Sequence, residues 1–426
     1  MNTQTTRRSF LKQTAWLAGM PAIIPASVLG RNGNVAPSNR IVLGGIGIGP
    51  RGREVLKPFL ESPDIQFVAV ADVQKSRAEI VRKTVDRHYA NTDCKAYRDM
   101  EEVLAREDID AVLIATSDRW HAVASMRAAK AGKDIYCEKP CSMSITEAIE
   151  LEECILKHKR IFQAGTQRRN VDNFRFAIEL ARSGKLGALR TVHAGIIPPK
   201  EYLPELPAEG DPDPEELNWD AWLGPAAVRP YNKGYVQGRW RGHKGMVASY
   251  SVCEWGSHTV DVCQWAADAD GTTPVEFEAE GTSLHGTYAN GVKLHMRVAG
   301  FKNEGNWAGL GTCPVRYEGD EGWVEAGDHG GIAVSDEKLL SGGKPAVMFG
   351  TDPAKHVREF IDCVKSRATP AGNATAAKFG HITCHAAAIA WRLGRKLRYD
   401  PVAHSFTDDA EANGMRGYER RAPYNV

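Results

Sequence analysis

The stretch Ile41-Val42-Leu43-Gly44-Gly45-Ile46-Gly47-Ile48-Gly49-Pro50-Arg51-Gly52 constrains this chain more than any other. An apolar run ends in Gly47-x-Gly49-x-x-Gly52, and a helical pattern follows at Glu54, Val55, Leu56, Phe59 and Leu60. The order is strand, tight turn, helix. In such a unit the first glycine allows the turn, the second lets backbone approach a pyrophosphate, and the third lets helix pack on strand. The helix N-terminus supplies unpaired N–H groups and the positive end of a dipole to the anion. Gly47, Ile48, Gly49, Arg51 and Gly52 are therefore predicted cofactor contacts. A second apolar run, Ile65 to Ala71, ends in Asp72, twenty positions after Gly52. An acid there accepts both ribose hydroxyls of an adenosine and repels a 2′-phosphate, so the predicted cofactor is NAD. Lys75 and Arg77 follow closely and soften that preference, and Arg77 joins the predicted contacts.

Upstream, Thr6-Arg7-Arg8-Ser9-Phe10-Leu11-Lys12 precedes an Ala-rich apolar stretch from Thr14 to Leu29, broken by Pro21 and Pro25. A charged region, an apolar region and a small-residue end read as an export signal. The apolar stretch is too short and interrupted for a retained membrane span. The paired arginines with Ser-Phe-Leu-Lys resemble a twin-arginine signal. That resemblance implies the twin-arginine export machinery as a partner, export after folding, and a periplasmic or otherwise exported location. Residues 1–30 are assigned to the signal and 31–38 to a linker.

The remaining length suggests two domains, a doubly wound NAD-binding unit over 39–165 and an α+β substrate and oligomerisation unit over 166–426. Lys+Arg 54 and Asp+Glu 53 nearly cancel, so charge calls for neither nucleic acid nor an acidic membrane. The nine cysteines are scattered with no close CxxC pair. Neither a disulfide framework nor a structural zinc site is indicated, which fits folding in a reducing compartment before export.

Within the first unit, Ala111 to Thr116 is a near-continuous apolar run, as expected of a parallel strand buried on both faces. A loop, Ser117-Asp118-Arg119-Trp120-His121, leads into a helix, and Asp134 to Cys137 then runs into Glu138-Lys139-Pro140. A ligand should lie outside the carboxyl ends of such strands. The glycine turn, the Asp118-Arg119-Trp120-His121 loop, Glu138-Lys139-Pro140 and Thr166-Gln167-Arg168-Arg169 together resemble the glucose–fructose oxidoreductase and inositol dehydrogenase family, Gfo/Idh/MocA. The resemblance runs from about Asn39 to the C-terminus. It implies that Lys139 reaches the reacting sugar hydroxyl, that the Lys139–Pro140 bond is often cis, and that Glu138, His121, Thr116, Asp118 and Gln167 line the cofactor with Lys139.

A physical case stands beside that likeness. Oxidising an alcohol sends a hydride to nicotinamide while a base takes the hydroxyl proton. A positively charged nicotinamide disfavours the charged form of a nearby lysine, which then accepts a proton at near-neutral pH.

In the second unit, Pro198 to Glu216 is long and rich in Pro, Glu and Asp, either a functional or a flexible loop. Trp219, Trp222, Tyr231 and Trp240 follow, suited to stacking on sugar rings or to packing a core. Read as a helix, Tyr250, Glu254, His258, Asp261 and Trp265 share one face. The resemblance makes His258 a second proton-transfer residue and Glu254 its orienting acid. This chain departs from the family pattern in having Glu254 for Asp, and Val247-Ala248-Ser249-Tyr250 where glycines are usual. His243, Cys253, His258 and Asp261 match no standard ligand spacing, so no metal is predicted. Val292 to Val298 alternates apolar and polar residues, and with Val275–Thr282, Val315–Tyr317 and Trp323–Ala326 it predicts an open, mainly antiparallel sheet with helices on one face. Such sheets pair in family members, which implies a homo-oligomer. Packing is the predicted role of His381 and His385, one helical turn apart.

The expected function is an exported NAD-dependent oxidoreductase of a sugar or polyol hydroxyl, with cofactor bound tightly and recycled. The alternative is an NAD-dependent glycoside hydrolase working by transient oxidation and elimination. A cofactor-bound module without turnover is disfavoured by an intact Lys139 and His258.

Overall fold

The computed structural model describes residues 35–298, 309–343, 345 and 348–425. The predicted signal lies outside the described residues, as does the first half of the predicted linker, residues 31–34. The first unit alternates strand and helix: β1 Ile41–Ile46, α1 Pro50–Glu61, β2 Ile65–Ala71, α2 Lys75–Tyr89, β3 Lys95–Tyr97, α3 Met100–Leu104, β4 Ala111–Ile114, α4 Asp118–Lys130, β5 Asp134–Cys137, α5 Ile145–His158 and β6 Phe162–Ala164. The six strands are parallel in the order β3-β2-β1-β4-β5-β6. Strand order reverses between β1 and β4, so a crevice opens at their carboxyl ends. The four segments singled out in sequence leave β1, β4, β5 and β6 at that edge.

The glycines perform separate tasks. Gly47 has φ +64°, and a Cβ there would lie 2.3 Å from Thr116 Cγ2. A Cβ on Gly52 would lie 2.8 Å from that of Ala115, so helix and sheet touch there. A Cβ on Gly49 would meet nothing within 4 Å.

The chain continues through α6 Asp172–Arg182, β7 Leu189–Ile196, α7 Trp219–Leu223, α8 Val252–Ala266, β8 Glu276–Glu280, β9 Ser283–Thr287, β10 Lys293–Val298, β11 Val315–Gly319, β12 Trp323–Ala326 and β13 Ile332–Val334. It ends with α9 Ala354–Ser366, α10 Ala374–Leu393, β14 Leu397–Asp400, β15 Ser405–Phe406 and α11 Ala410–Gly414. The nine strands form one mixed sheet, β13-β12-β11-β7-β10-β9-β8-β14-β15, in which only β7 and β10 pair in parallel. Val192, Ala194, Leu294, Met296 and Phe277 face the helices α6, α8 and α10 and form the larger core. α10 packs on both α8 and α5, which joins the two units. α9 returns to the first: Val357, Phe360 and Ile361 complete the core under α1.

Asp118 to His121 form the first turn of α4 instead of the predicted loop. Tyr250 falls before α8 instead of on its face, because Ser249, Tyr250 and Ser251 all have positive φ (49°, 53° and 75°). All nine cysteines are free. Among the described residues no helix is long and apolar enough to cross a membrane.

Candidate active site

The dinucleotide end is built from the glycine turn and β2. No side chain caps α1, whose N-cap is Gly49, so its first N–H groups stay available to a phosphate. The open space at Gly49 is where a pyrophosphate fits. Asp72, at the carboxyl end of β2, is buried, and its carboxylate accepts a 2.9 Å bond from the Gln74 N–H. Burial pushes its pKa up to about 6, against the opposing pull of that N–H and of Arg77. A buried carboxylate with spare acceptor capacity suits two ribose hydroxyls. These residues therefore fit NAD. Arg77 itself donates to the Val236 carbonyl at 2.9 Å.

That contact belongs to a latch. Asn218 N donates to Val73 O at 3.0 Å, Lys75 N to Glu216 O at 2.8 Å, and the Ser76 hydroxyl to the Glu216 carboxylate. The end of the Pro/Glu/Asp-rich stretch is thereby fastened to the turn after Asp72. Trp219 stacks on Trp222 at 4.7 Å and meets Tyr231 edge-on at 5.2 Å. With Leu217, Tyr235, Trp240 and Met246 these rings form a small core of their own, so packing is their role.

At the other end Glu138 is buried and accepts from Arg51 Nε at 3.3 Å. With its amide oriented to satisfy both ends, Gln167 accepts from Arg51 Nη2 at 2.6 Å and donates to Gly165 O. Thr116 bounds the glycine turn on the far side. His121 Nδ1 lies 2.7 Å from Pro140 O, while its Nε2 is buried without a hydrogen-bond partner among the described residues. The Lys139–Pro140 peptide is cis.

Lys139 is half-buried, and its Nζ donates to the main-chain oxygen of Glu254 at 2.6 Å. Burial pushes its pKa down, opposed by the charges of Glu138 and Asp118. Glu254 is pushed up by burial and by Asp118, and Arg241 lies 3.9 Å from its carboxylate. Asp118, fully enclosed, is also pushed up by burial, with Arg241 and Lys139 opposing, and it takes a 3.4 Å bond from Ala248 N. His258 is buried, its Nδ1 has no hydrogen-bond partner among the described residues, and its pKa sits well below 6.5 because of burial and the cations Arg168, Lys139 and Arg51. Lys139, Asp118, Glu254 and His258 thus converge from β5, α4 and α8. The Glu254 side chain does not bond His258; it turns toward Arg241, so no orienting pair forms.

Sequence reasoning missed the support of this cluster. Arg168 makes a buried two-pronged pair with Asp328 at 3.0 and 2.6 Å. Its neighbour Arg169 instead grips Asp261 and Asp270 at 2.7–2.9 Å. Asp261 is thereby a structural partner of an arginine. Adjacent arginines carry no sequence signal for partners so far along the chain. Among the described residues no group of three or more His, Cys, Asp or Glu is placed to hold a metal.

Comparison with known proteins bears on this geometry. The model of the oxidoreductase family NAD-binding Rossmann fold matches residues 40–166, and that of the oxidoreductase family C-terminal alpha/beta domain matches 205–426. Myo-inositol 2-dehydrogenase of Thermotoga maritima is 28% identical over 165 residues, 38% of this chain and 48% of its own. The 2,7-anhydro-N-acetylneuraminate hydratase of Mediterraneibacter gnavus is 28% identical over 149 residues, 35% and 37% respectively. The chain thus spans less than half the length of these curated relatives. The crystal structure of scyllo-inositol dehydrogenase from Lactobacillus casei, with bound NAD(H) and scyllo-inositol, superposes with a TM-score of 0.58 at 15% identity, over 84% of this chain and 99% of that one. At that identity the likeness concerns the fold alone.

Proposed function

The chain belongs to the Gfo/Idh/MocA oxidoreductase family, and on that premise we propose that it oxidises a hydroxyl of a sugar or polyol using NAD that remains bound between turnovers. The observation that carries this reading is the convergence of Lys139, Asp118, Glu254 and His258 at the carboxyl edge of the parallel sheet, beside the glycine turn. When bound, NAD supplies the hydride acceptor. The chain supplies the proton acceptor and the charge balance. A lysine amine whose pKa is depressed by burial takes the hydroxyl proton as the carbinol C–H bond breaks and a carbonyl forms. The carboxylates of Asp118 and Glu254 then face the ammonium that results. His258, held neutral, offers a hydrogen bond to the same oxygen without adding charge. The Gly47–Gly52 turn, Asp72, Thr116, Glu138 and Gln167 hold the cofactor.

Retention of NAD is supported by the latch from Glu216, Asn218 and Val236 onto the turn after Asp72. An exported enzyme has no maintained pool of NAD, so a cofactor loaded in the cytoplasm must stay and its hydride must be given back. Chemistry with no net redox change follows, either between two sugars or within one glycoside. The name of the anhydrosugar hydratase relative describes addition of water, which is redox-neutral. That favours the glycoside hydrolase reading as the second possibility. The test is to purify the mature protein without added NAD, denature it and assay the supernatant, then offer sugars, polyols and aryl glycosides and weigh the products. Stoichiometric NAD with turnover that needs no added cofactor supports the reading. Empty protein that accumulates NADH only when NAD is added refutes it.

A further inference from the structure

His381 and His385 lie one turn apart on α10, both buried, and each touches the two segments that carry the reacting groups. The Nδ1–H of His381 donates to Ala377 O at 2.6 Å, which leaves Nε2 as an acceptor. That Nε2 accepts from Cys141 N at 2.9 Å and lies 3.3 Å from the Ser257 hydroxyl on α8. His385 stands between two serines, Ser142 at its Nε2 (3.1 Å) and Ser249 at its Nδ1. Cys141 and Ser142 directly follow Lys139-Pro140. Ser249 and Ser257 bracket Glu254 and precede His258. The reacting pair thus sits on two segments distant in sequence, and both imidazoles bridge them.

We propose that His381 and His385 are positioning residues, a two-point clasp that fixes the Lys139 loop against the head of α8 and so sets the 2.6 Å contact between Lys139 Nζ and Glu254 O. A neutral imidazole carries one donor and one acceptor, so one serine on His385 donates and the other accepts. Burial keeps both rings neutral, with pKa values near 4 and 3. The clasp therefore carries no charge at neutral pH. His385 also lines a cavity of about 410 Å³ with Tyr202, Arg229, Lys244, Tyr250 and Tyr418. Through that cavity a small molecule can reach the space left by a deleted ring.

This rests on Lys139 being the proton-handling group, so one readout is kept independent of turnover. In the NAD-bound full-length protein, lysines are reductively ¹³C-methylated and the Lys139 resonance, assigned with Lys139→Arg, is titrated. His385→Gly should shift that titration upward, toward an ordinary lysine, because the freed amine reaches water. On a substrate found in the panel, kcat should fall at least tenfold with KM and NAD content little changed. Millimolar imidazole should restore both signals, and His381→Gln should keep most of what His381→Ala loses. If His385→Gly does not fold, Ser142→Ala and Ser249→Ala each remove one arm and should shift the same resonance. A lowered melting temperature with kcat and the Lys139 titration as in wild type would overturn the clasp. Full turnover in Lys139→Ala would instead overturn the proposed chemistry and leave the titration result standing.

Discussion

Asp72→Asn separates what the carboxylate does for NAD from what it costs the empty protein. Its pKa is about 6 in the fold against an ordinary 3.8. At about 1.36 kcal/mol per pH unit, keeping it ionised costs the NAD-free protein about 3 kcal/mol. The sign follows from proton binding. Between pH 3.8 and 6 the folded state holds the proton more often than the unfolded state, so stability falls as pH rises through that window and levels off above it. Asparagine keeps an acceptor for the Gln74 N–H and carries no charge. Stripped Asp72→Asn protein should therefore be more stable than wild type by up to about 3 kcal/mol at pH 8, with the gap closing near pH 4.

Binding should move the other way. Ribose hydroxyls donate to an ionised acceptor, so wild-type affinity for NAD should rise with pH through 6. Asp72→Asn should lose about 1.5–3 kcal/mol of binding, roughly a tenfold to hundredfold weakening, with no pH dependence. Urea unfolding of stripped protein from pH 4 to 8, paired with calorimetric NAD titration, measures both. Unfolding free energies of wild type and variant that run parallel across that range would refute the account.

Three further outcomes are expected. Gly49→Ala should fold normally and lose NAD at least roughly tenfold, whereas Gly47→Ala should lose stability as well, because its φ is +64° and Thr116 occupies the space; thermal melts with and without NAD distinguish them. Lys139→Ala should retain NAD yet turn over about 10²–10⁴-fold more slowly, and His258→Ala likewise, measured on any substrate from the panel. Glu216→Ala combined with Arg77→Ala removes side-chain contacts of the latch, so NAD should leave faster in a chase with apo-dehydrogenase, and an unchanged release rate would remove the latch from the argument.

The dinucleotide half was legible because its determinants are local: three glycines at fixed spacing, apolar runs of strand length, and an acid at the next strand's end. The second half was legible in part: the alternation of Lys293–Val298 and the runs at Val315–Tyr317 and Trp323–Ala326 marked strands, whereas Ser283–Thr287 is broken by a glycine and polar residues and Ile332–Val334 is three residues long, too short to carry a period. Lys139 and His258 could be picked out, but not the contact Lys139 makes with α8, since its partner there is the main-chain oxygen of Glu254. The roles of His381 and His385 were hidden because packing and hydrogen bonding place the same residues on the same buried helix. Arg168 and Arg169 show the same limit, with carboxylates more than ninety positions away as partners.

The left-handed run before α8 was illegible for a different reason: its residues carry side chains. A left-handed residue with a Cβ costs about 1–2 kcal/mol, and glycine would avoid it. Tyr250 gives something glycine cannot. Its ring stacks on Tyr202 at 4.4 Å and meets Trp391 edge-on at 5.4 Å, tying the Pro/Glu/Asp-rich stretch to α10 beside the reacting groups. Two such contacts contribute about 0.5–1.5 kcal/mol each, which roughly offsets the strain. Tyr250→Ala should lose the contacts and keep the strain, while Tyr250→Gly should lose both. Glycine should therefore leave the protein more stable than alanine at this position, by about 1 kcal/mol, the reverse of the usual order in ordinary backbone. Chemical denaturation of the NAD-bound variants, followed by tryptophan fluorescence, reads the difference. An alanine variant as stable as the glycine variant, or more so, would mean that the backbone relaxes out of the left-handed region once the ring is gone, and that the ring alone holds the strain in place.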